Sequence, residues 1–509
     1  MELKTVRQPL AVNETVYSGN CEIPVDEDFV LPDYYAEINK LLKCRVEGRI
    51  TSKNINSQSI TLDGHLCINI LYCDKSGQLY NYEQIFPISR SFDTSSDVSG
   101  AIVETALKTE YANCRVVTER KVSVHGALSL CIKAILQNKY DVVADIDDNS
   151  IQIDRKEFPA LNSMGNAEKN QLIEEELVLS DGQPPIEGIL RYSASPTVTE
   201  VKAVKNKAAV KGNLAVTVLY KSGKQCAVYK CSVPFSQLLD IGGINEDCIC
   251  TAKAQLCYLE IVPRKSDSQV RSMMLNAKLA LTANSYCDDK IPVIIDAYST
   301  EYELMMKKTD MTIEKVLGHI SDTYMFKNTL EFGDYEISNI IDSWTETEVQ
   351  SCAFKNGEIC VNALVNICIL TTDSEDKVAY FEKKLEMVYK KTTDFVCTGN
   401  LKCDSHFEPV TVSFTLLSDS SAEYRIEYRV NLSLIEENRV AMLTEIDCDS
   451  KKQKEKNNDC SLVVYYAENG ERVWDIAKAY NSDITQIREI NSIACDVIDS
   501  SRRILIPLL

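Results

Sequence analysis

Eight residues near the C-terminal end have the types and spacing for chemistry of one kind. Gly470, Glu471 and Arg472 form a turn ahead of Trp474; Ile487 and Asn491 follow at helical spacing; Ser501 and Arg502 stand just before the last apolar run. The chemistry is non-covalent recognition. A glycine lets a tight turn present backbone groups to a ligand. An exposed Trp474 is an aromatic anchor, with Arg472, Ile487 and Asn491 around it. For Trp474 and Ile487 the competing reading is core packing, and it is the stronger one for Ile487. Arginines on an otherwise acidic chain supply an electrostatic complement to a partner.

Covalent chemistry finds no comparable set. The chain has no G-x-S-x-G, no phosphate loop and no H-E-x-x-H. Its four histidines, His65, His125, His319 and His406, are scattered and pair with no cysteine at ligand spacing. Its 20 cysteines include no C-x-x-C; the nearest spacing is Cys248-x-Cys250. Most lie in apolar strand-like runs, such as Cys67 in HLCINILY and Cys368 in VNICIL, where a thiol behaves as a small hydrophobe. Reduced structural cysteines are therefore expected, with a zinc site or late oxidative cross-linking as alternatives. Asp and Glu are plentiful, so a carboxylate pair assembled in space stays open. The expectation is no catalytic residue, no metal ligand and no cofactor.

The 75 acidic residues outnumber the 55 basic ones, for a net charge of -20. That disfavours nucleic acid, which needs clustered Lys and Arg, and suits simple solubility or a basic protein partner. No segment approaches the ~20 apolar residues of a membrane helix. The N-terminus, MELKTVRQPLAVNETVYSGN, lacks an apolar run after its basic residues, so the chain is expected to remain in a cytosol.

The elements that must position the eight residues read as strand, helix, helix, strand. LVVYYAE is the first strand; Val473, Ile476, Ala477 and Tyr480 share one helix face; Ser482 or Asp483 caps a second helix whose Ile484, Ile487 and Ile490 turn inward; RRILIPLL closes. With Tyr465, Gly470, Val473, Trp474, Ile476, Ala477, Tyr480, Ile487, Asn491, Ile504, Ile506 and Pro507 in place, this βααβ stretch resembles a LysM domain. LysM domains that bind N-acetylglucosamine polymers usually carry G-D-[TS] before the first helix and P-G-Q before the last strand. Here those turns read Gly470-Glu471-Arg472 and Ser500-Ser501-Arg502. The capping hydroxyl is gone, worth about 1 kcal/mol if nothing replaces it, and Arg472, Arg502 and Arg503 change the charge. Surface drift and a changed ligand both account for this.

Ahead of this tail the chain repeats itself. INKLL at Ile38, IEGIL at Ile186 and ISNII at Ile337 have the same spacing as GHLCINILY from Gly64, GNLAVTVLY from Gly212 and ALVNICILT from Ala363. VSVHGALSLCIKA from Val122, MMLNAKLALTA from Met273 and YRIEYRVNLSL from Tyr424 agree roughly. Such a long period implies domains with their own cores. The third copy is the most diverged: Thr371 stands where the others have Tyr72 and Tyr220, and the proline of Pro87 and Pro234 is missing. Period-two alternation makes each unit mostly β, a sandwich or an open barrel, with a short helix conceivable near SGAIVETALKTEYA. The expected division is 1–148, 149–299 and 300–447 for the repeats, a charged tether at 448–460, and the LysM-like domain at 461–509. A nucleic-acid role for the KKQKEK run carries little weight beside the tether reading.

Repeated units of the G-x-L-x-V-x-V-L-Y … P-F-S type followed by one LysM resemble the SPOCS-domain, SipL-type spore coat assembly proteins of spore-forming Clostridia. The resemblance implies a mainly β, non-enzymatic scaffold. It implies that the LysM binds a coat morphogenetic ATPase and that other coat proteins are partners. It places the chain in the mother cell cytoplasm, at the forespore surface. The alternative is binding of peptidoglycan or another N-acetylglucosamine glycan at the cell wall or spore cortex.

Overall fold

The computed structural model describes residues 3–508 except 149, 224, 265–268, 334 and 455–459. The first eighteen strands fall into three modules of six, each of two antiparallel three-stranded sheets. Module one holds β1 (Thr5–Val30), β2 (Lys40–Asn56), β3 (Ser59–Cys73), β4 (Leu79–Asp93), β5 (Ile102–Val116) and β6 (Lys121–Ile146), ordered β1-β6-β5 and β2-β3-β4. Module two repeats this with β7 (Ile151–Val178), β8 (Gly188–Val204), β9 (Lys207–Ser222), β10 (Gln225–Asp240), β11 (Ile249–Pro263) and β12 (Ser272–Ser299). Module three uses β13 (Tyr302–Glu331), β14 (Asn339–Lys355), β15 (Glu358–Thr372), β16 (Val378–Thr392), β17 (Asn400–Ser418) and β18 (Ser421–Gln453). The mainly β expectation holds. The helix entertained around residues 99–112 does not: that segment forms β5, because its alternate residues, Val103 among them, bury one face on the module core. The charged stretch expected to be a tether from 448 instead continues β18 to Gln453, paired with Tyr302 of β13.

Within a module the two sheets face each other across one core. Ile23 and Val25 of β1, Ile68, Ile70 and Tyr72 of β3, and Leu128, Leu130 and Ile132 of β6 meet in module one. The period-two pattern of the sequence is the direct cause, since alternate residues of a strand share a face.

The first and last strands of each module are much longer than the rest. β5 pairs with β6 only as far as Ile135, while β1 follows β6 to Ile146. The three overhanging hairpin ends wrap around one another as a stalk. Equivalent residues meet there: Val142, Val293 and Met442 in one apolar layer, and Val143, Ile294 and Leu443 with Ile146, Ala297 and Ile446 in the next. A further three-way layer joins Leu71, Leu219 and Leu370 from the smaller sheets. The modules are therefore related by a common axis, like three subunits joined in one chain.

Matching β-bulges put charge beside that axis. Register shifts at Leu41/Lys43, Ile189/Arg191 and Ile340/Asp342 occupy the same place in the three modules and re-aim the residue that follows. Arg191 bonds Asp342 at 2.9 Å, the two side chains being 11% and 4% exposed, and its guanidinium lies 4.2 Å from the Trp344 ring centroid. Lys43 reaches Glu382 at 2.6 Å.

Eighteen cysteines are free, and among them Cys44 is in contact with Cys114 and Cys352 with Cys403. The expectation of reduced thiols fails at Cys248 and Cys287, which form a disulfide. Strand β11 pairs Ile249 with Tyr286 of β12 and brings these neighbours side by side.

Two sequence anchors now have a cause. Tyr72 and Tyr220 are fully buried, and their hydroxyls donate to the carbonyls of Ala36 at 2.9 Å and Pro184 at 3.1 Å. A second bulge in β2 and β8 pushes a carbonyl over the anchor glycine: a Cβ on Gly64 would stand 2.1 Å from the Arg49 oxygen, and one on Gly212 2.3 Å from that of Thr197. Ala363 takes this place in module three and carries a Cβ.

Two stability outcomes follow. Gly64→Ala or Gly212→Ala forces the bulge open and costs about 1–3 kcal/mol, whereas Ala363→Gly costs at most about 1 kcal/mol; urea midpoints of the full chain compare them. Asp342→Ala leaves Arg191 charged and buried at a cost of about 3–5 kcal/mol. The double variant Arg191→Met/Asp342→Leu recovers much of that loss in the same measurement.

Candidate functional site

The tail forms β19 (Leu462–Ala467), α1 (Val473–Ala479), α2 (Ile484–Asn491) and β20 (Arg502–Pro507), with β19 and β20 paired antiparallel. Val473, Ile476, Ala477, Ile487, Ile504 and Ile506 fill its core. Asp483 caps α2, its carboxylate accepting from the amides of Thr485 at 2.7 Å and Gln486 at 3.2 Å. Ser482, the other candidate cap, instead donates to the Pro507 carbonyl. The N-cap of α1 is Arg472, which makes no side-chain capping bond, as a turn without a hydroxyl or a carboxylate there requires. Ile490 does not turn inward as expected: it is about half exposed, because α2 buries only Ile487 fully.

The eight candidate residues do not form one open groove. Ile487 is completely buried. Asn491 is a structural clamp: its amide nitrogen donates to the carbonyls of Ile487 and Leu505, and its oxygen accepts from the Leu505 amide at 2.7 Å. Arg502 and Ser501 are exposed, and Arg502 donates to the Asn491 carbonyl at 2.6 Å. The two loops that would flank a groove are zipped together. The Gly470 amide donates to the Ile498 carbonyl at 2.8 Å, the Ile498 amide to that of Glu471 at 2.9 Å, and the Val473 amide to that of Asp496 at 2.9 Å. Gly470 adopts φ 95°, which is why a glycine stands there. Glu471 accepts from the Tyr465 hydroxyl at 2.9 Å and the Glu468 amide at 2.8 Å. Asp496 binds Arg472 and Arg488 from the second loop.

Trp474 and Arg472 face the chain's own stalk. Trp474 is 3% exposed; its indole Nε1 donates to Asp296 Oδ2 at 3.1 Å, and its ring meets Tyr298 edge-on at 5.0 Å. Lys478 bonds the same Asp296 oxygen at 2.5 Å, and Lys308 approaches the other at 3.5 Å. Arg472 reaches Asp154 at 2.6 Å. The Tyr298 hydroxyl donates to the Ser482 carbonyl at 2.7 Å. Lys454, on the connecting segment, donates to the Ser299 carbonyl at 2.9 Å and to the Asn481 side chain. The condition for Trp474 as an aromatic anchor, exposure, is therefore unmet in this arrangement.

Asp154, Asp296 and Tyr298 are the residues that sequence reasoning missed. Asp145 and Glu445 occupy the place of Asp296 in the other two modules, so the repeat did carry a signal for acid at this height. Asp296 differs in its cross-strand neighbour, which is Asp154. Glu445 faces Lys307, and Asp145 faces Val6. Like charges opposed on adjacent strands repel, and Arg472 and Lys478 relieve that repulsion.

Burial pushes the pKa of the Asp296 carboxyl up, but the hydrogen bonds from Lys478 and Trp474 and the charges of Lys478 and Lys308 outweigh it, so the group sits below the ordinary carboxylate value. The sign follows. The contact is at full strength above the unfolded carboxylate value of about 4 and weakens as pH falls through the lower folded value. The indole proton of Trp474, followed by NMR, should stay protected from neutral pH down to about pH 4 and lose that protection progressively as the pH falls further, through the lowered folded value.

No group of three or more His, Cys, Asp or Glu among the described residues is placed to hold a metal ion. No helix among them is long and apolar enough to cross a membrane. Residues 37–117 and 185–262 match the family model of the SipL, SPOCS domain, and residues 465–507 match that of the LysM domain. The first matches cover β2–β5 and β8–β11, in the two modules that keep the anchor glycine and tyrosine. No curated protein and no solved structure gives a match. Both families are binding or scaffold domains. They support a sporulation-associated protein with a module of the peptidoglycan-binding class. The chain thus carries two stretches similar to the SipL, SPOCS domain and one similar to the LysM domain.

Proposed function

We propose that the chain is a non-enzymatic scaffold of spore coat morphogenesis. Its LysM domain docks on a coat morphogenetic ATPase, in the mother cell cytoplasm at the forespore surface. The observation that carries this reading is the zipped pair of loops. Backbone groups of Gly470, Glu471 and Ile498 are spent on one another and the Val473 amide on Asp496, while a glycan groove needs such groups free. The module keeps the LysM frame and offers exposed charged side chains, Arg502 and Arg503, in place of an open polar cleft, with Arg472 held by Asp154 and Asp496. A protein partner uses such a surface; a neutral sugar does not. Three similar modules in one chain add multivalency toward other coat components.

The second reading is glycan binding, at cell wall or spore cortex. Membership of the LysM family and the retained positive-φ turn at Gly470 favour it. Titration of the full chain by interferometry separates the two. The expected result is saturable binding of the purified ATPase, weakened by Arg472→Glu or Arg502→Glu, and no binding of a chitin-type oligosaccharide. Binding of the sugar alone refutes the scaffold reading.

A further inference from the structure

We propose that the tip of the stalk is the resident ligand of the basic face of the LysM domain, and that a partner using this face presents an acidic protein segment that displaces it. The partner half rests on the docking function proposed above; the resident contact does not.

The face is made of Arg472, Trp474 and Lys478. What fills it is chemically definite: two carboxylates on neighbouring strands, Asp154 and Asp296, and two residues beyond Asp296 an aromatic hydroxyl, Tyr298. Each element meets its complement. The guanidinium takes one carboxylate, the ammonium and the indole N–H share the other, and the phenol stacks on the indole edge while donating to the Ser482 carbonyl. Charge-assisted bonds of this kind are strong when partly shielded from water. Tyr298 is 3% exposed and belongs to the core cluster of the tail module, so the stalk completes that core.

The stalk gains as much as the tail. Asp154 and Asp296 are directly opposed across β7 and β12, and without the tail only Lys308 offsets their repulsion among the contacts described. The contact is electrostatic and is made between parts of one chain, so its strength reflects a high local concentration on a short connection. A competitor must match it with the same groups: acidic side chains beside an aromatic or apolar residue. A basic partner, which the net charge of -20 alone would suggest, is repelled here by Arg472 and Lys478.

Hydrogen exchange on the full chain, with no partner present, tests the resident contact. Asp296→Asn should speed exchange in residues 473–479 by about tenfold or more, since the packing and charge that hold α1 down are lost. Asp296→Lys should do so more strongly, and adding Lys478→Glu should restore protection. Unchanged exchange in both single variants overturns the contact, as does failure of the restored pair to recover protection when the modules themselves stay folded. The partner half is read by fluorescence anisotropy with a labelled soluble decapeptide containing Asp-x-Tyr. It should bind the Asp296→Asn chain at least about tenfold more tightly than the wild type, and Arg472→Glu should abolish the gain. Equal affinity for both chains, or equal binding of a decapeptide with Asn for Asp, overturns the acidic-partner inference. Loss of ATPase binding with the exchange results intact would instead refute the docking function and leave the resident contact standing.

Discussion

Everything in this molecule depends on burying the overhanging ends of six long strands. A two-stranded ribbon cannot hide its apolar face alone. Each module has such a ribbon, and each hides it against the other two. Val142, Val293 and Met442 are all essentially inaccessible because three copies of one surface close on one another. The modules are thus folded domains in their own cores and a single unit at their junction. The buried Arg191–Asp342 pair sits on that junction, where the bulges turn equivalent side chains toward the axis and divergence has made one positive and another negative.

The same asymmetry fixes where the tail sits. A threefold stalk offers three equivalent hairpin ends, yet the LysM domain packs on the second. Only there, among the equivalent positions, do two carboxylates oppose each other across the strands. The tail's arginine, lysine and indole neutralise that site, and Tyr298 closes the tail's own core. The LysM-type module is thereby held by charge pairs together with the Tyr298–Trp474 ring contact.

Much of this was legible in the residues. Strand periodicity gave the β modules, since alternation maps directly onto which face is buried, and the repeat offsets located equivalent strands. The tail's βααβ order followed from the apolar spacing of Val473, Ile476 and Ala477. Three things were not legible, for physical reasons. The segment at 102–116 has good helix formers, Ala106, Leu107 and Lys108 among them, and local propensity loses to the sheet that surrounds it. The charged residues 448–453 look like a solvated tether because strand pairing needs only backbone, and β13 supplies the partner. The destination of Trp474 was hidden because its partner, Asp296, lies in another domain of the sequence, and no local pattern encodes which faces of two domains will meet.

The most direct test of the central claim, that the stalk holds the basic face of the LysM domain, is zero-length carbodiimide cross-linking of the full chain followed by mass spectrometry. Carbodiimide joins a carboxylate to an amine only when they touch, and Lys478 Nζ lies 2.5 Å from Asp296. The account predicts an intramolecular Lys478–Asp296 amide as a dominant link between tail and modules, abolished by Lys478→Arg. Links from Lys478 scattered over other acidic residues, or none to the stalk at all, would contradict it.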